Sequence, residues 1–100
     1  MRVLVVEDEA ALARQIGDAL AAAGYAVDAA GDGARADFLA RTEAYDAVIL
    51  DLGLPKVDGL TLLKGWRDVG LPVPVLVLTA RASWHEKVTG IDLGADDYVG

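Results

Sequence analysis

The stretch Tyr45 to Pro55, YDAVILDLGLP, constrains this chain more than any other. Ala47-Val48-Ile49-Leu50 is a short, continuous apolar run bounded by turn-formers, which reads as a strand buried on both faces of a parallel sheet. It ends in Asp51, a carboxylate delivered to the mouth of the sheet by an otherwise apolar strand. Leu52-Gly53-Leu54-Pro55 then leaves as a loop, because Pro55 has no ladder donor and Gly53 is permissive. A carboxylate in that place is costly unless it is paired, hydrogen-bonded or metal-bound.

The remainder of the chain alternates between two periods. Arg2 to Val6 is a second buried-strand run, and it too ends in acid, Glu7-Asp8-Glu9. From Ala10 to Ala23 the spacing predicts a helix with Leu12, Ile16, Leu20 and Ala23 on one stripe, stopped by Gly24. Tyr25 to Ala30 is a weaker, more alternating strand suited to an edge. Gly31-Asp32-Gly33 is a turn, and 34–43 is a helix with Ala36, Leu39 and Ala40 inward, its stripe interrupted by Asp37 and Phe38. A third helix over 58–69 packs Leu62, Leu63 and Trp66, and Gly70-Leu71-Pro72 ends it. Val73 to Leu78 is a fourth strand leading into Thr79-Ala80. Ser83 with Glu86 forms a capping box for a fourth helix carrying Trp84, Val88 and Ile91, with His85 exposed early in it. Residues 95–100 begin a fifth strand.

Strands alternating with helices require parallel pairing and right-handed crossovers, so the expected fold class is α/β, a doubly wound five-stranded parallel sheet in one domain. Ligands of such sheets sit beyond the carboxyl ends of the strands. Those ends carry Glu7-Asp8, Asp51 and Thr79. Composition narrows the chemistry that can occur there. Sixteen acidic against nine basic residues, a net charge of −7, argue against nucleic-acid binding by this segment, since phosphate contacts need clustered cations. Cysteine is absent, which excludes disulfides and thiol chemistry. No apolar run reaches membrane-spanning length and the N-terminus turns acidic early, so a soluble, cytoplasmic protein without membrane contact is expected.

Converging carboxylates repel one another, and a hard divalent ion is their natural neutraliser. Mg²⁺ is satisfied by one or two carboxylates, keeps several waters and leaves room for a phosphate oxygen. Asp51 can serve as both ligand and nucleophile, since carboxylates form aspartyl-phosphates. Thr79 offers a hydroxyl to a phosphoryl oxygen. Taken singly, each has a plainer explanation: Asp51 as a turn residue, Glu7-Asp8-Glu9 as charges favouring a helix N-terminus, Thr79 as a hydroxyl bonded to backbone. Gathered at one sheet edge they point to phosphoryl chemistry.

VLVVEDE, ILDLGLPKVDGL, PVLVLTAR and GADDYV, in that order and spacing, resemble the receiver domain of two-component response regulators, over essentially the whole chain. LDLGLP, LTAR and GADDY resemble the OmpR/PhoB-type transcription regulators within it. The resemblance implies a flavodoxin-like fold with strand order 2-1-3-4-5. It implies that Asp51 accepts phosphate from a sensor histidine kinase, that Asp8 and Asp51 bind Mg²⁺ directly, Glu7 through water and Gly53 through its carbonyl. Thr79 and Tyr98 would be the switch pair, with Ala80 leaving access to the site. Lys87, Asp96 and Asp97 match charged positions of a homodimer face formed by the fourth helix and fifth strand. Such a domain is a regulator rather than an enzyme, its only chemistry being Mg²⁺-dependent self-phosphorylation and dephosphorylation, and it controls an output domain that binds DNA.

The family's pattern continues with Lys-Pro after the position of Gly100 and then a fifth helix. Residues 1–100 are therefore expected to form a receiver incomplete at its C-terminus, without an effector domain. An apolar groove lined by Val3, Val5 and Val99 is the expected consequence, together with lower stability and pairing with a second copy. Three rival readings remain. A flavodoxin-like cofactor binder would offer hydroxyls and glycines to phosphate where this chain has Glu7-Asp8-Glu9. An aspartate-based phosphatase would place a second acid where Gly53 stands. A receiver-like docking module without phosphorylation would have no use for the acidic pair, Asp51 and Thr79.

Overall fold

In the computed structural model, residues 1–54 and 58–78 are described in full and residues 97–99 through their backbone. The chain alternates β1 (Arg2–Val6), α1 (Ala10–Ala22), β2 (Ala26–Ala30), α2 (Gly33–Thr42), β3 (Ala47–Leu50), α3 (Gly59–Asp68), β4 (Val75–Leu78) and β5 (Asp97–Val99). All pairings are parallel, and the sheet order is β2-β1-β3-β4-β5. The order reverses between β1 and β3, and the C-terminal ends of those two strands carry Glu7-Asp8 and Asp51. The helix expected after Ser83, with Trp84 and His85, lies outside the described residues.

Boundaries fall where local chemistry puts them. Gly24 and Gly70 take φ values of 96° and 77° just past α1 and α3, the left-handed conformation that closes a helix at little cost to glycine. Asp32 and Asp58 cap α2 and α3 by accepting from the Arg35 amide at 2.8 Å and the Leu60 amide at 3.1 Å. The fourth strand begins at Val75 rather than at Val73, because Pro72 and Pro74 have no amide to give the ladder. Pro74 still contributes its carbonyl, which accepts from the Val48 amide.

The main core lies on the sheet face covered by α2 and α3. Leu4, Val6, Val48, Leu50, Val75 and Val77 pack there against Ala36, Leu39, Ala40, Leu62, Leu63 and Trp66, the positions expected from the helical stripes. Trp66 is fully buried, and its indole Nε1 donates to Asp37 Oδ1 at 2.9 Å. The Asp37 that interrupts the α2 stripe is thus a bridge to α3, held in turn by Arg41 Nε at 2.8 Å. Phe38, its neighbour, points to solvent.

The opposite face is thinner. Here α1 lies against β1 and β2, and none of its residues is fully buried. The strand β3 is accordingly buried on one face only: Val48 and Leu50 are enclosed, whereas Ala47 and Ile49 are half-buried. Val3 and Val5, expected to line an apolar groove, are buried instead. On β3 and β4 the half-buried apolar residues of that face are Ala47, Ile49, Leu76 and Leu78. The side chain of Val99 lies outside the described residues.

Away from the acidic end of the sheet, charge is internally compensated. Asp28 Oδ2 accepts from Arg2 Nε at 3.0 Å, Arg2 Nη2 at 2.7 Å and the Tyr45 hydroxyl at 2.7 Å. Arg2 also donates its amide to Asp46 and Nη1 to Glu43, and its guanidinium lies 5.1 Å from the Tyr45 ring centroid. The Tyr45 hydroxyl, then Arg2, hold the Asp28 carboxyl below its ordinary range. Burial, then the bond to Asp28, pushes the Tyr45 phenol up to about 12. A lowered carboxyl contributes stability above its unfolded pKa, lost as pH falls through the folded value. A raised phenol contributes stability below about pH 10, lost as pH climbs toward 12. Tyr45→Phe should therefore cost about 1 kcal/mol near neutrality. That cost should shrink in strong acid and between pH 10 and 12. Urea unfolding of both proteins across pH checks this, and a pH-independent difference would contradict it.

Candidate functional site

Two backbone hydrogen bonds build the site. The Glu7 amide donates to the Ala30 carbonyl at 3.0 Å, extending the β1–β2 ladder one residue past Val6. The Asp51 amide donates to the Val6 carbonyl at 3.0 Å, extending the β1–β3 ladder past Leu50. Register already pairs Val6 with Ala30 and with Leu50, so Glu7 and Asp51 leave adjacent strands side by side. Asp8 follows Glu7 at the surface. One carboxylate oxygen from each of Glu7, Asp8 and Asp51 lies within 4.8 Å of the other two.

The carboxylates are oriented by amides. Glu7 Oε1 accepts from the Glu9 amide at 3.0 Å, just before α1 begins. Asp51 Oδ1 accepts from the Gly53 amide at 3.0 Å, a tight turn that holds the carboxylate over its own loop. Glu7 is only 6% exposed, while Asp51 is half-buried and Asp8 exposed. Burial pushes the Glu7 carboxyl up to about 7; its hydrogen bond with Asp51 and the charges of Asp51 and Asp8 push the same way, against the Glu9 amide. No ion pair to any of the three acids occurs among the described residues.

This donor set suits a hard cation. It offers carboxylate oxygen without nitrogen or sulfur, and the exposed Asp8 leaves space for water. A dication between the three would replace mutual repulsion with attraction. An open groove of about 540 Å³ runs from Glu7 and Asp8 between α1 and β2, past Arg14, Gly17 and Val27. An anionic cofactor brought to this mouth without a cation would be repelled.

The structure thus brings together Glu7, Asp8, Asp51 and Gly53. Thr79, Ala80, Lys87 and Asp96 lie outside the described residues. Asp97 and Tyr98 are placed on β5 by backbone alone, where Tyr98 pairs with Val77 in the register. One residue was not legible as part of the site. A Cβ on Gly59, the first residue of α3, would meet the Asp51 carbonyl oxygen at 2.9 Å. The available signal was a glycine at a helix start directly after a capping aspartate, where a better helix former would ordinarily stand.

The family model for the response regulator receiver domain matches residues 3–100. The chain belongs to the response regulator receiver domain family. The virulence transcriptional regulatory protein PhoP of Salmonella typhimurium is 50% identical over 99 residues, which are 99% of this chain and 44% of that protein. The chain therefore spans less than half the length of this relative, and the match agrees with an OmpR/PhoB-type receiver. Among solved structures, a Burkholderia pseudomallei response regulator with a phosphorylated aspartic acid, calcium ion and citrate superposes with a TM-score of 0.91. It is 33% identical, over 98% of this chain and 58% of that one. Thermotoga maritima TrrA, in complex with Mg²⁺-BeF, gives 0.88 at 31% identity, over 98% of this chain and 84% of that one. The receiver's flavodoxin-like sheet order is the one observed here. No helix among the described residues is long and apolar enough to cross a membrane.

If repulsion within the trio is what the receiver bears, relieving it should stabilise the metal-free fold. Glu7→Gln keeps an acceptor for the Glu9 amide and removes one buried charge. In chelator at pH 8 it is expected to raise the unfolding free energy by on the order of 1 kcal/mol. Chemical denaturation reads the difference, and an unchanged or lower stability would mean the trio is not strained.

Proposed function

We propose that this receiver accepts a phosphoryl group on Asp51 from a sensor histidine kinase and passes the signal on as a change of shape. The observation that carries the reading is the gathering of the Glu7, Asp8 and Asp51 carboxylates within 4.8 Å at the switch point of the sheet. In the transfer, an Asp51 carboxylate oxygen attacks phosphorus, the bond from phosphorus to the donor's imidazole nitrogen breaks, and the electron pair leaves with the imidazole. The Gly53 amide, donating to Oδ1, fixes the rotation of the carboxylate toward the site mouth. Glu7, anchored by the Glu9 amide, and Asp8 supply negative charge that makes a cation necessary before a phosphate can approach.

Mg²⁺ is the cation proposed; Asp8, Asp51 and the Gly53 carbonyl would hold it directly and Glu7 through water, and it would supply positive charge against the phosphoryl oxygens. Support comes from the all-oxygen donor set and from relatives solved with Mg²⁺-BeF or with calcium beside a phosphorylated aspartate. Self-phosphorylation from small phosphodonors and slow dephosphorylation belong to the same reading. Thr79 and Tyr98 would couple the new dianion to β5, with Ala80 leaving access. Lys87, Asp96 and Asp97 would then meet a second copy. Control of transcription, through a DNA-binding segment outside residues 1–100, and a cytoplasmic location belong to the same reading, and the likeness to the transcriptional regulatory protein PhoP supports it.

Two measurements test this. Incubated with acetyl phosphate and Mg²⁺, the protein should gain one phosphoryl mass, and Asp51→Asn should gain none while keeping its fold. Acid-labile phosphate persisting on the variant would move the acceptor elsewhere. Separately, Mg²⁺ at about ten times its dissociation constant should add about 1.4 kcal/mol of stability by mass action. Asp8→Asn should lose most of that gain, and melting curves indifferent to Mg²⁺ would remove the metal from the mechanism.

A further inference from the structure

Gly59 opens α3, and its distinguishing feature is proximity rather than backbone conformation. Positive φ occurs at Gly24 and Gly70 but not at Gly59. A Cβ there would lie 2.9 Å from the Asp51 carbonyl oxygen, 3.0 Å from Leu52 Cδ2 and 3.1 Å from Leu52 Cα. The leucine methyl can rotate away. The other two atoms are backbone of the residue that bears the carboxylate and of its neighbour, and they can retreat only by moving the chain that carries Asp51. The same short segment makes the Asp51 Oδ1 to Gly53 amide bond and the Asp51 amide to Val6 carbonyl bond. Asp58, immediately before Gly59, caps α3 through the Leu60 amide, so the helix start cannot easily yield instead.

We infer that Gly59 is a positioning residue for the candidate site: the missing side chain at the start of α3 lets the helix abut the Asp51 backbone and holds the Asp51 carboxylate beside Glu7 and Asp8. The inference rests on reading that trio as a divalent-cation and phosphoryl site. Metal coordination tolerates displacements of only about 0.2 Å. A β-carbon that forces a few tenths of an ångström of retreat is therefore felt at the metal before it is felt by the sheet. Gly65 supplies an internal contrast. It lies on the same helix, and a Cβ there meets only the Arg41 guanidinium at 3.9 Å, ordinary contact.

The experiment compares the parent protein, Gly59→Ala and Gly65→Ala by Mg²⁺ calorimetry and by the amide resonance of Gly53 in the metal-free state. Gly59→Ala should bind Mg²⁺ about tenfold more weakly, in the range seen for supporting residues of metal sites, and should shift the Gly53 amide. Gly65→Ala should match the parent in both. If Gly59→Ala folds poorly, the comparison is made within Gly65→Ala, whose alanine favours the same helix. Mg²⁺ affinity within twofold of the parent and an unmoved Gly53 amide would overturn the inference. A Gly59→Ala chain that is unfolded in both backgrounds would also overturn it, since the glycine would then serve the fold rather than the site. A parent that binds no Mg²⁺ would instead refute the reading of the trio. The Gly53 resonance would still decide whether Gly59 positions Asp51.

Discussion

The Val6 and Ala30 carbonyls, accepting from the amides of Asp51 and Glu7, fix everything that follows in this molecule. Ladder hydrogen bonds ordinarily align apolar side chains; these two carry the ladder one step too far and align acids. Because β1 pairs with β2 on one side and β3 on the other, a single strand sets the position of both carboxylates. The buried run Val3 to Val6 and the buried Val48 and Leu50 supply the rigidity, and slippage by one residue would turn core valines to the wrong face. The acidic mouth is carried by the hydrophobic core beneath it, and its own amide contacts only orient carboxylates that the strands have already placed.

The two treatments of charge in the sheet make the contrast plain. Around Asp28, one arginine, a phenol and an amide absorb the charge of Asp28, Glu43 and Asp46, and the result is a closed network. At the other end no cation pairs with Glu7, Asp8 or Asp51 among the described residues; amides orient Glu7 and Asp51, and burial drives the Glu7 carboxyl upward. A domain of this size has stability on the order of 5–15 kcal/mol, so unrelieved repulsion in one corner weighs on the whole fold. Strain of that kind can persist where a ligand relieves it, and three carboxylate oxygens this close together suit a positive charge.

Much of this was readable in the sequence because period and punctuation agreed. Ala36, Leu39 and Ala40 fell inward as their spacing required, Gly24 and Gly70 stopped their helices, and the acids at two strand ends marked one edge. The failures have physical causes. Periodicity cannot tell a strand covered on both faces from one covered on one, so Ala47 and Ile49 read as fully buried and are not. Asp37 broke a stripe because its partner, the Trp66 indole, sits 29 residues away, a contact no local pattern reveals. The groove assigned to Val3 and Val5 required knowing where α1 rests; α1 lies against β1 and β2, and both valines are buried.

Gly59 belongs to the same class of silent residue, and in the role proposed for it the geometry of the site is kept from outside. To serve as the ligand and nucleophile proposed, the Asp51 carboxylate has to be held against the repulsion of its neighbours. One amide, that of Gly53, cannot supply this alone, because it moves with the loop it restrains. The start of α3 is a separate body, anchored through Leu62, Leu63 and Trp66 in the main core. Pressed against the Asp51 backbone, it transmits the stiffness of that core to the carboxylate. Closeness of approach sets how much of that stiffness arrives, and only a residue without a side chain permits contact at this distance. The site is therefore fastened from two directions, laterally by β1 and from behind by α3, while the mouth stays open to solvent at Asp8.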